Sequence, residues 1–265
     1  MGRCVAICNQ KGGVGKTTTA INLGAYLAQA GRRVLLVDID PQGNATSGLG
    51  VEKSQLQHSL YHLLMGQAEA AQVLLPSPVP QIDLLPSTID LTGAEVELVG
   101  QEGRELRLKQ ALEPLRATYD FLLIDSPPSL GLLTVNALAA AETILIPMQC
   151  EYYALEGLSQ LLKTIELVRS HLNPTLSIEG VLLTMADYRT NLTQEVINEA
   201  RGFFKEKVFQ TVIPRNVRLS EAPGFGKPIS AYDGTSLGAQ KYQALSQELL
   251  ARINGPAPAI QAGGR

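Results

Sequence analysis

Lysine, glycine and threonine are concentrated in one stretch, Asn9-Gln10-Lys11-Gly12-Gly13-Val14-Gly15-Lys16-Thr17-Thr18-Thr19. Glycines let a loop turn with its N–H groups pointing inward. A helix starting beside them adds the positive end of its dipole, so the pair can cradle a polyphosphate. In such a cradle Gly12, Gly13, Val14, Gly15 and Thr18 surround the phosphates, Lys16 reaches the β- and γ-phosphates, and the Thr17 hydroxyl is a ligand for Mg²⁺. The string departs from a standard Walker A loop, because Gln10 stands where the first glycine belongs and a second lysine, Lys11, stands at the entrance.

Two aspartate segments offer what a bound cation needs. Phe121-Leu122-Leu123-Ile124-Asp125 ends an apolar run in a carboxylate suited to hold Mg²⁺ directly or through water, since this hard cation takes oxygen ligands and keeps part of its hydration shell. The run Arg33–Asp38 ends similarly and continues as Ile39-Asp40-Pro41-Gln42-Gly43-Asn44. Pro41 pushes the chain into a loop, where Asp40 can approach an attacking water or the metal's ligands. Capping of a following helix is the competing role for Asp38 and, less so, for Asp40.

These loops need a scaffold, and the pattern of apolar runs supplies one. Strands are expected at Arg3–Cys8, Arg33–Asp38, Ile82–Leu85, Phe121–Asp125, Thr143–Pro147, Ile178–Met185 and, as a short edge or final strand, Thr211–Pro214. Helices are expected from near Lys16 to Ala30, at Thr46–Gly50, Ser59–Met65, Leu130–Ala140, Leu192–Phe204 and Ser236–Ile253. Leu91–Leu115 reads as largely helical with a break near Gly100–Gly103. Tyr153–His171 reads as a long amphipathic helix with Leu155, Leu158, Leu162, Ile165 and Leu167 on one broad face.

The strand runs are too continuously apolar to alternate, which is the mark of a sheet covered on both sides. The expected class is therefore α/β: a predominantly parallel sheet with helices on both faces, three layers in all, joined by right-handed crossovers. The loops after Cys8, Asp38 and Asp125 then share one sheet edge. Residues 1–254 read as one domain, and the Gly/Pro/Ala-rich segment 255–265 as a disordered tail.

Composition narrows the classes further. With 45% apolar and 18% charged residues, neither wholesale disorder nor a membrane protein is indicated. Met1-Gly2-Arg3 leads straight into the first strand without signal-peptide anatomy, so the expected location is the cytoplasm. Cys4 and Cys8 would point to the same side of a strand, and no Cys-x-x-Cys pair accompanies them or Cys150, which favours buried thiols over metal ligands. The net charge of −3 hides an asymmetry: residues 187–265 carry 10 Lys/Arg against 7 Asp/Glu, and residues 1–186 carry 12 against 18. No helix-turn-helix signature or aromatic stacking platform suggests base readout.

Lys11-Gly12-Gly13-Val14-Gly15-Lys16-Thr17 resembles the deviant Walker A motif of the ParA/MinD ATPases. Three further stretches, Ile124-Asp125-Ser126-Pro127-Pro128, Pro147–Gly157 and Ile213–Pro223, join the Asp38–Asn44 segment in looking like chromosomal ParA proteins of the Soj group, so the likeness covers nearly the whole chain. It implies a P-loop NTPase fold of the SIMIBI type, ATP and Mg²⁺ as cofactors, and slow, partner-stimulated hydrolysis in which Asp40 is required. It also implies an ATP-bound homodimer in which Lys11 crosses to the other subunit's phosphates; such a cation would neutralise charge developing in phosphoryl transfer. Pro214 and Asn216 are implied to border the adenine. Arg189 and Arg218, with Arg215 and Lys227 nearby, resemble a basic surface that binds double-stranded DNA without sequence preference, for which a few phosphate contacts suffice. The implied partner is a ParB-type centromere-binding protein, and the implied location is the nucleoid.

Other members of the superfamily fit less well. A MinD-like membrane cycle needs a basic amphipathic helix at the C-terminus, where this chain has a Pro/Gly/Ala-rich stretch with one arginine, so no stable membrane association is expected. A nitrogenase-iron-protein-like reductase needs paired cluster cysteines. A small-molecule ATP-dependent ligase on the same fold is the remaining metabolic alternative.

Overall fold

Continuous apolar runs can be hidden only in a sheet with helices on both faces, and that is how this chain folds. The computed structural model describes residues 2–151 and 157–255. Seven strands, β1 (Arg3–Ile7), β2 (Val34–Asp38), β3 (Leu75–Pro76), β4 (Ile82–Leu85), β5 (Phe121–Asp125), β6 (Thr143–Gln149) and β7 (Ser177–Thr184), form one sheet in the order β3-β4-β2-β5-β1-β6-β7. All pairings are parallel except the edge pair β3–β4. The ends of β1, β2 and β5 are level, because Ile7 and Asp38 are both in register with Asp125. Their three following loops therefore share one edge, as expected.

Alternation along the central strands divides the core in two. Cys4 and Ala6 of β1 and Leu122 and Ile124 of β5 face one layer; Val5, Ile7, Phe121 and Leu123 face the other. The second layer is formed mainly by α1 (Lys16–Gln29), which packs Ala20, Leu23 and Leu27 against the sheet beside Tyr242, Leu245 and Leu249 of the last helix. The helix α2 (Asn44–Gly48) joins this layer through Ala45, whereas the first layer is built from α3 (Leu60–Leu64), α4 (Ala70–Val73), α5 (Leu91–Glu97), α6 (Arg107–Leu112), α7 (Leu132–Ala140), α8 (Leu158–His171) and α9 (Asn191–Phe204). Three C-terminal helices close the chain: α10 (Val217–Glu221), α11 (Ile229–Tyr232) and α12 (Leu237–Asn254), the last capped by the Ser236 hydroxyl, which accepts from Ala239 N–H at 3.3 Å. Each fully buried Leu or Ile of these layers is worth about 1.5–3 kcal/mol of apolar transfer.

Several expectations are corrected. Thr211–Pro214 is not a strand: Ile213 N–H donates to the Leu183 carbonyl of β7 at 2.9 Å and an isolated parallel bridge joins Pro214 to Ala186, and a proline has no N–H to extend a ladder. The strand β3 was not expected, since Pro76 marks its sequence as loop; proline is tolerated there because the strand is two residues long and at the edge. The helix expected at Thr46–Gly50 lies at Asn44–Gly48, bounded by left-handed Gly43 (φ 60°) and Gly50 (φ 82°). In α8 the buried face is Leu158, Leu161, Ile165 and Val168, with Leu162 half-buried, whereas Leu167 is 61% exposed. A spacing of three and four residues keeps that stripe on one side, and position 167 falls off it. The N-terminal part of that expected helix, from Tyr153 through Leu155, and the expected tail after Gly255 lie outside the described residues. The break within Leu91–Leu115 is present, at left-handed Gly100 and Gly103.

Candidate functional site

The glycine loop is held from both ends before any ligand is considered. Asn9, buried behind β1, donates through Nδ2 to the Pro147 carbonyl at 2.7 Å and accepts from Lys11 N–H at 3.0 Å through Oδ1. On the other side Thr184 Oγ1 donates to the Val14 carbonyl at 2.9 Å, tying the loop to the end of β7. Gly13 (φ 73°) and Gly15 (φ 90°) are left-handed, and a Cβ on Gly12 or Gly13 would meet nothing within 4 Å. The first therefore serves backbone geometry at two positions, while the loop's outer side stays open to a visitor. No side chain caps α1 and no acidic residue occupies its first turn, so the N–H groups at Lys16 to Thr18 face the same opening.

Lys16 is drawn inside the loop, where Nζ donates to the Lys11 carbonyl at 3.2 Å. Burial pushes its pKa down, and the charges of Asp125 and Asp40 push it back up. A buried, under-solvated ammonium in a ring of N–H donors is a site for an anion.

Thr17 Oγ1 donates to Asp125 Oδ2 at 2.7 Å. Asp125 is fully buried, and its Oδ1 has no hydrogen-bond partner among the described residues. Burial, and then the nearby charge of Asp38, push its carboxyl well above the usual carboxylate range. Among the described residues no group of three or more His, Cys, Asp or Glu side chains forms a metal cage. One hydroxyl and one carboxylate with a spare oxygen nevertheless fit Mg²⁺, which takes few protein ligands and shares its shell with water and phosphate oxygens.

The two remaining aspartates separate by role. Asp38 Oδ2 accepts from both Thr46 N–H (2.8 Å) and Thr46 Oγ1 (2.7 Å), and Oδ1 from Asp40 N–H (3.3 Å), so it ties the Asp38–Asn44 loop to α2. Burial nonetheless raises its pKa to about 6. Asp40 uses Oδ1 to accept from Gln42 N–H at 2.9 Å, and its charge is felt at both Lys16 and Asp125. Capping thus describes Asp38, and Asp40 stands beside the loop's cation and the buried carboxylate.

A cavity of about 380 Å³ runs from Gly15 and Thr18 to Pro214 and Asn216, bringing together loop and C-terminal residues about 200 positions apart in the sequence. Its other walls include Thr184, Met185, Ile213, Leu219 and Tyr242. Asn216 Oδ1 caps α10 by accepting from Arg218 N–H at 2.9 Å, which leaves its amide donors. Thr184, Met185 and Tyr242 were not singled out from the sequence. The signal for Thr184 and Met185 was their position at the same strand edge as Asp38 and Asp125; for Tyr242 none was available.

Of the expected basic residues, Arg189 and Arg215 lie near one another, since the charges of both act on Asp187. Arg215 borders the cavity, Arg189 is held by Asp187 (2.6 and 2.8 Å), and Arg218 by Glu221 (2.8 Å) and Asp233 (3.5 Å). Lys227 lines a separate groove of about 680 Å³ with Phe225 and Pro80. Lys11 does not project freely from the loop: its Nζ donates to Glu151 Oε2 at 2.9 Å. Cys4 and Cys8 are free buried thiols, as expected, and so is Cys150. Among the described residues no helix is long and apolar enough to cross a membrane.

A family model described as an AAA domain, AAA_31, matches residues 2–178. The chain is 59% identical over 251 residues to the sporulation initiation inhibitor protein Soj of Bacillus subtilis, covering 95% of this chain and 99% of that one. It is 57% identical over 258 residues to the chromosome partitioning protein ParA of Myxococcus xanthus, covering 97% and 91%. Among solved structures it is similar to cobyrinic acid a,c-diamide synthase from Mycobacterium smegmatis with bound ADP and magnesium, with a TM-score of 0.85, 39% identity and 97% of each chain covered.

Proposed function

We propose, from the premise that this chain belongs to the ParA/Soj family of chromosome-partitioning ATPases, that it binds ATP with Mg²⁺ in the glycine-loop cavity and cycles between a free subunit and an ATP-bound, DNA-binding homodimer. The observation that carries the nucleotide site is the Thr17–Asp125 pair with its spare buried oxygen, set at the mouth of a loop whose only inward cation is Lys16 among the described residues. In this reading Lys16 and the α1 N–H groups hold the β- and γ-phosphates, Pro214 and Asn216 border the base, and Thr17 and Asp125 hold the metal directly or through water. Mg²⁺ supplies neutralisation of phosphate charge. Asp40 orients the attacking water, and Lys11 crosses to the partner's phosphates.

The ATP-bound dimer binds duplex DNA through phosphate contacts from Arg189, Arg215, Arg218 and Lys227 and is returned to free subunits by a ParB-type partner. Residues 1–254 act as one ATPase domain, in the cytoplasm and on the nucleoid. Gel filtration of Asp40→Ala with ATP and Mg²⁺ tests the cycle: a stable dimer is expected, and monomer alone contradicts it.

The likeness to a cobyrinic acid a,c-diamide synthase supports a second reading, a small-molecule ligase, but at 39% identity against 57–59% for the partition proteins. ATP turnover that depends on a metabolite and ignores DNA would favour it.

A further inference from the structure

Glu151 lies where the glycine loop meets the C-terminal basic segment, and its carboxylate is shared. Oε2 accepts from Lys11 Nζ at 2.9 Å; Oε1 accepts from Gln149 Nε2 at 2.6 Å and from Arg215 Nη2 at 3.4 Å. The other two arginines of the expected DNA-binding set have carboxylates of their own: Asp187 for Arg189, and Glu221 with Asp233 for Arg218. Among the described residues Glu151 is the one acid that pairs with both a loop lysine and a residue of that segment.

Two cations on one carboxylate compete for it. Whatever weakens the Arg215 contact strengthens the hold on Lys11, and the departure of Lys11 leaves Glu151 to Arg215. We propose that Glu151 is the home dock of Lys11 in the unpaired subunit, a positioning residue that opposes dimerisation, and that Arg215 eases Lys11's release by taking over the carboxylate. This rests on the reading that Lys11 crosses to a partner's phosphates. It assigns Arg215 a place in the pairing equilibrium, separate from any contact with DNA. Lys11 and Glu151 are each 41% exposed, so the dock is a weak one, worth a factor of about two to five in an equilibrium and less at high salt. A weak dock suits a lysine that must leave in every cycle.

The test is sedimentation of the full chain with a non-hydrolysable ATP analogue and Mg²⁺, without DNA, at low and high salt. Lys11→Ala should fail to dimerise where the parent does, which checks the underlying reading. Glu151→Gln should dimerise about two- to five-fold more tightly than the parent at low salt, with the gain shrinking at high salt. Arg215→Ala should dimerise more weakly, and should have no such effect when added to Glu151→Gln. Unchanged or weaker pairing of Glu151→Gln, or an Arg215→Ala effect that persists without the carboxylate, overturns the dock while leaving the crossing of Lys11 intact. A parent that stays monomeric, or a Lys11→Ala variant that pairs normally, overturns both.

Discussion

The Thr17 hydroxyl donates to Asp125 Oδ2 at 2.7 Å across 108 residues of sequence, joining the first turn of α1 to the end of β5. The contact follows from the parallel register, which sets Ile7, the residue that leads into the glycine loop, level with Asp125. It leaves Asp125 Oδ1 buried without a partner among the described residues, a cost in the free protein that a cation would remove.

Asp125→Asn separates these effects. The variant should be at least as stable as the parent without ligand, because burial disfavours the charged form of the carboxyl at this position. The gain in ADP affinity on adding Mg²⁺ should shrink about ten-fold or more, the scale of one lost charged contact. Calorimetric titration with and without Mg²⁺ checks this; an unchanged Mg²⁺ gain would remove Asp125 from the metal's shell.

Lys16→Ala should lose nucleotide binding while keeping the fold. Its ammonium is held in the loop by one carbonyl and is under-solvated, so its removal costs the free protein little. Saturating ATP at about 100 times Kd should stabilise the parent by about 2.7 kcal/mol and the variant not at all. Thermal shift with and without ATP reads the difference.

Thr46→Val tests Asp38 as a structural tie. The hydroxyl donates to Asp38 Oδ2 and accepts from Ser87 N–H at 3.0 Å, and both groups are buried. Removing it takes one of the two hydrogen bonds from Asp38 Oδ2, which keeps the Thr46 N–H, and strands the buried Ser87 N–H, and should cost about 2 kcal/mol. Urea unfolding should show a lower midpoint with an unchanged slope.

The thiols of Cys4 and Cys8 should resist alkylation at pH 8 in the native protein and react at once when it is unfolded. Burial raises each from 9.0 to about 12, so the protonated thiol favours the fold. That contribution is complete below about pH 9 and is lost as pH rises toward 12, which places alkaline destabilisation in that window. Mass spectrometry of iodoacetamide adducts measures the protection; rapid native labelling would contradict the burial.

What could be read in the sequence was local. Each apolar run ended where its chemistry began, so Lys16, Thr17 and Asp125 were legible as groups sharing one sheet edge before any coordinate was known. The choice between capping and chemistry for Asp38 was not, because it turned on Thr46, eight residues away and invisible to a strand pattern. Leu167 was misplaced because a run of leucines in α8 offers two overlapping stripes, and only packing selects Leu161 and Val168. The contacts of Thr184 with Val14 and of Glu151 with Lys11 span 170 and 140 residues, and no local spacing encodes such a meeting.

The central claim is that nucleotide state governs DNA binding, and titration of duplex DNA of arbitrary sequence with ADP, ATP and a non-hydrolysable ATP analogue, at two salt concentrations, tests it most directly. ATP and the analogue should support binding that ADP does not, without dependence on sequence, and the affinity should fall steeply with salt as displaced counterions require. Binding that ignores the nucleotide, or no binding under any of these conditions, would contradict the account.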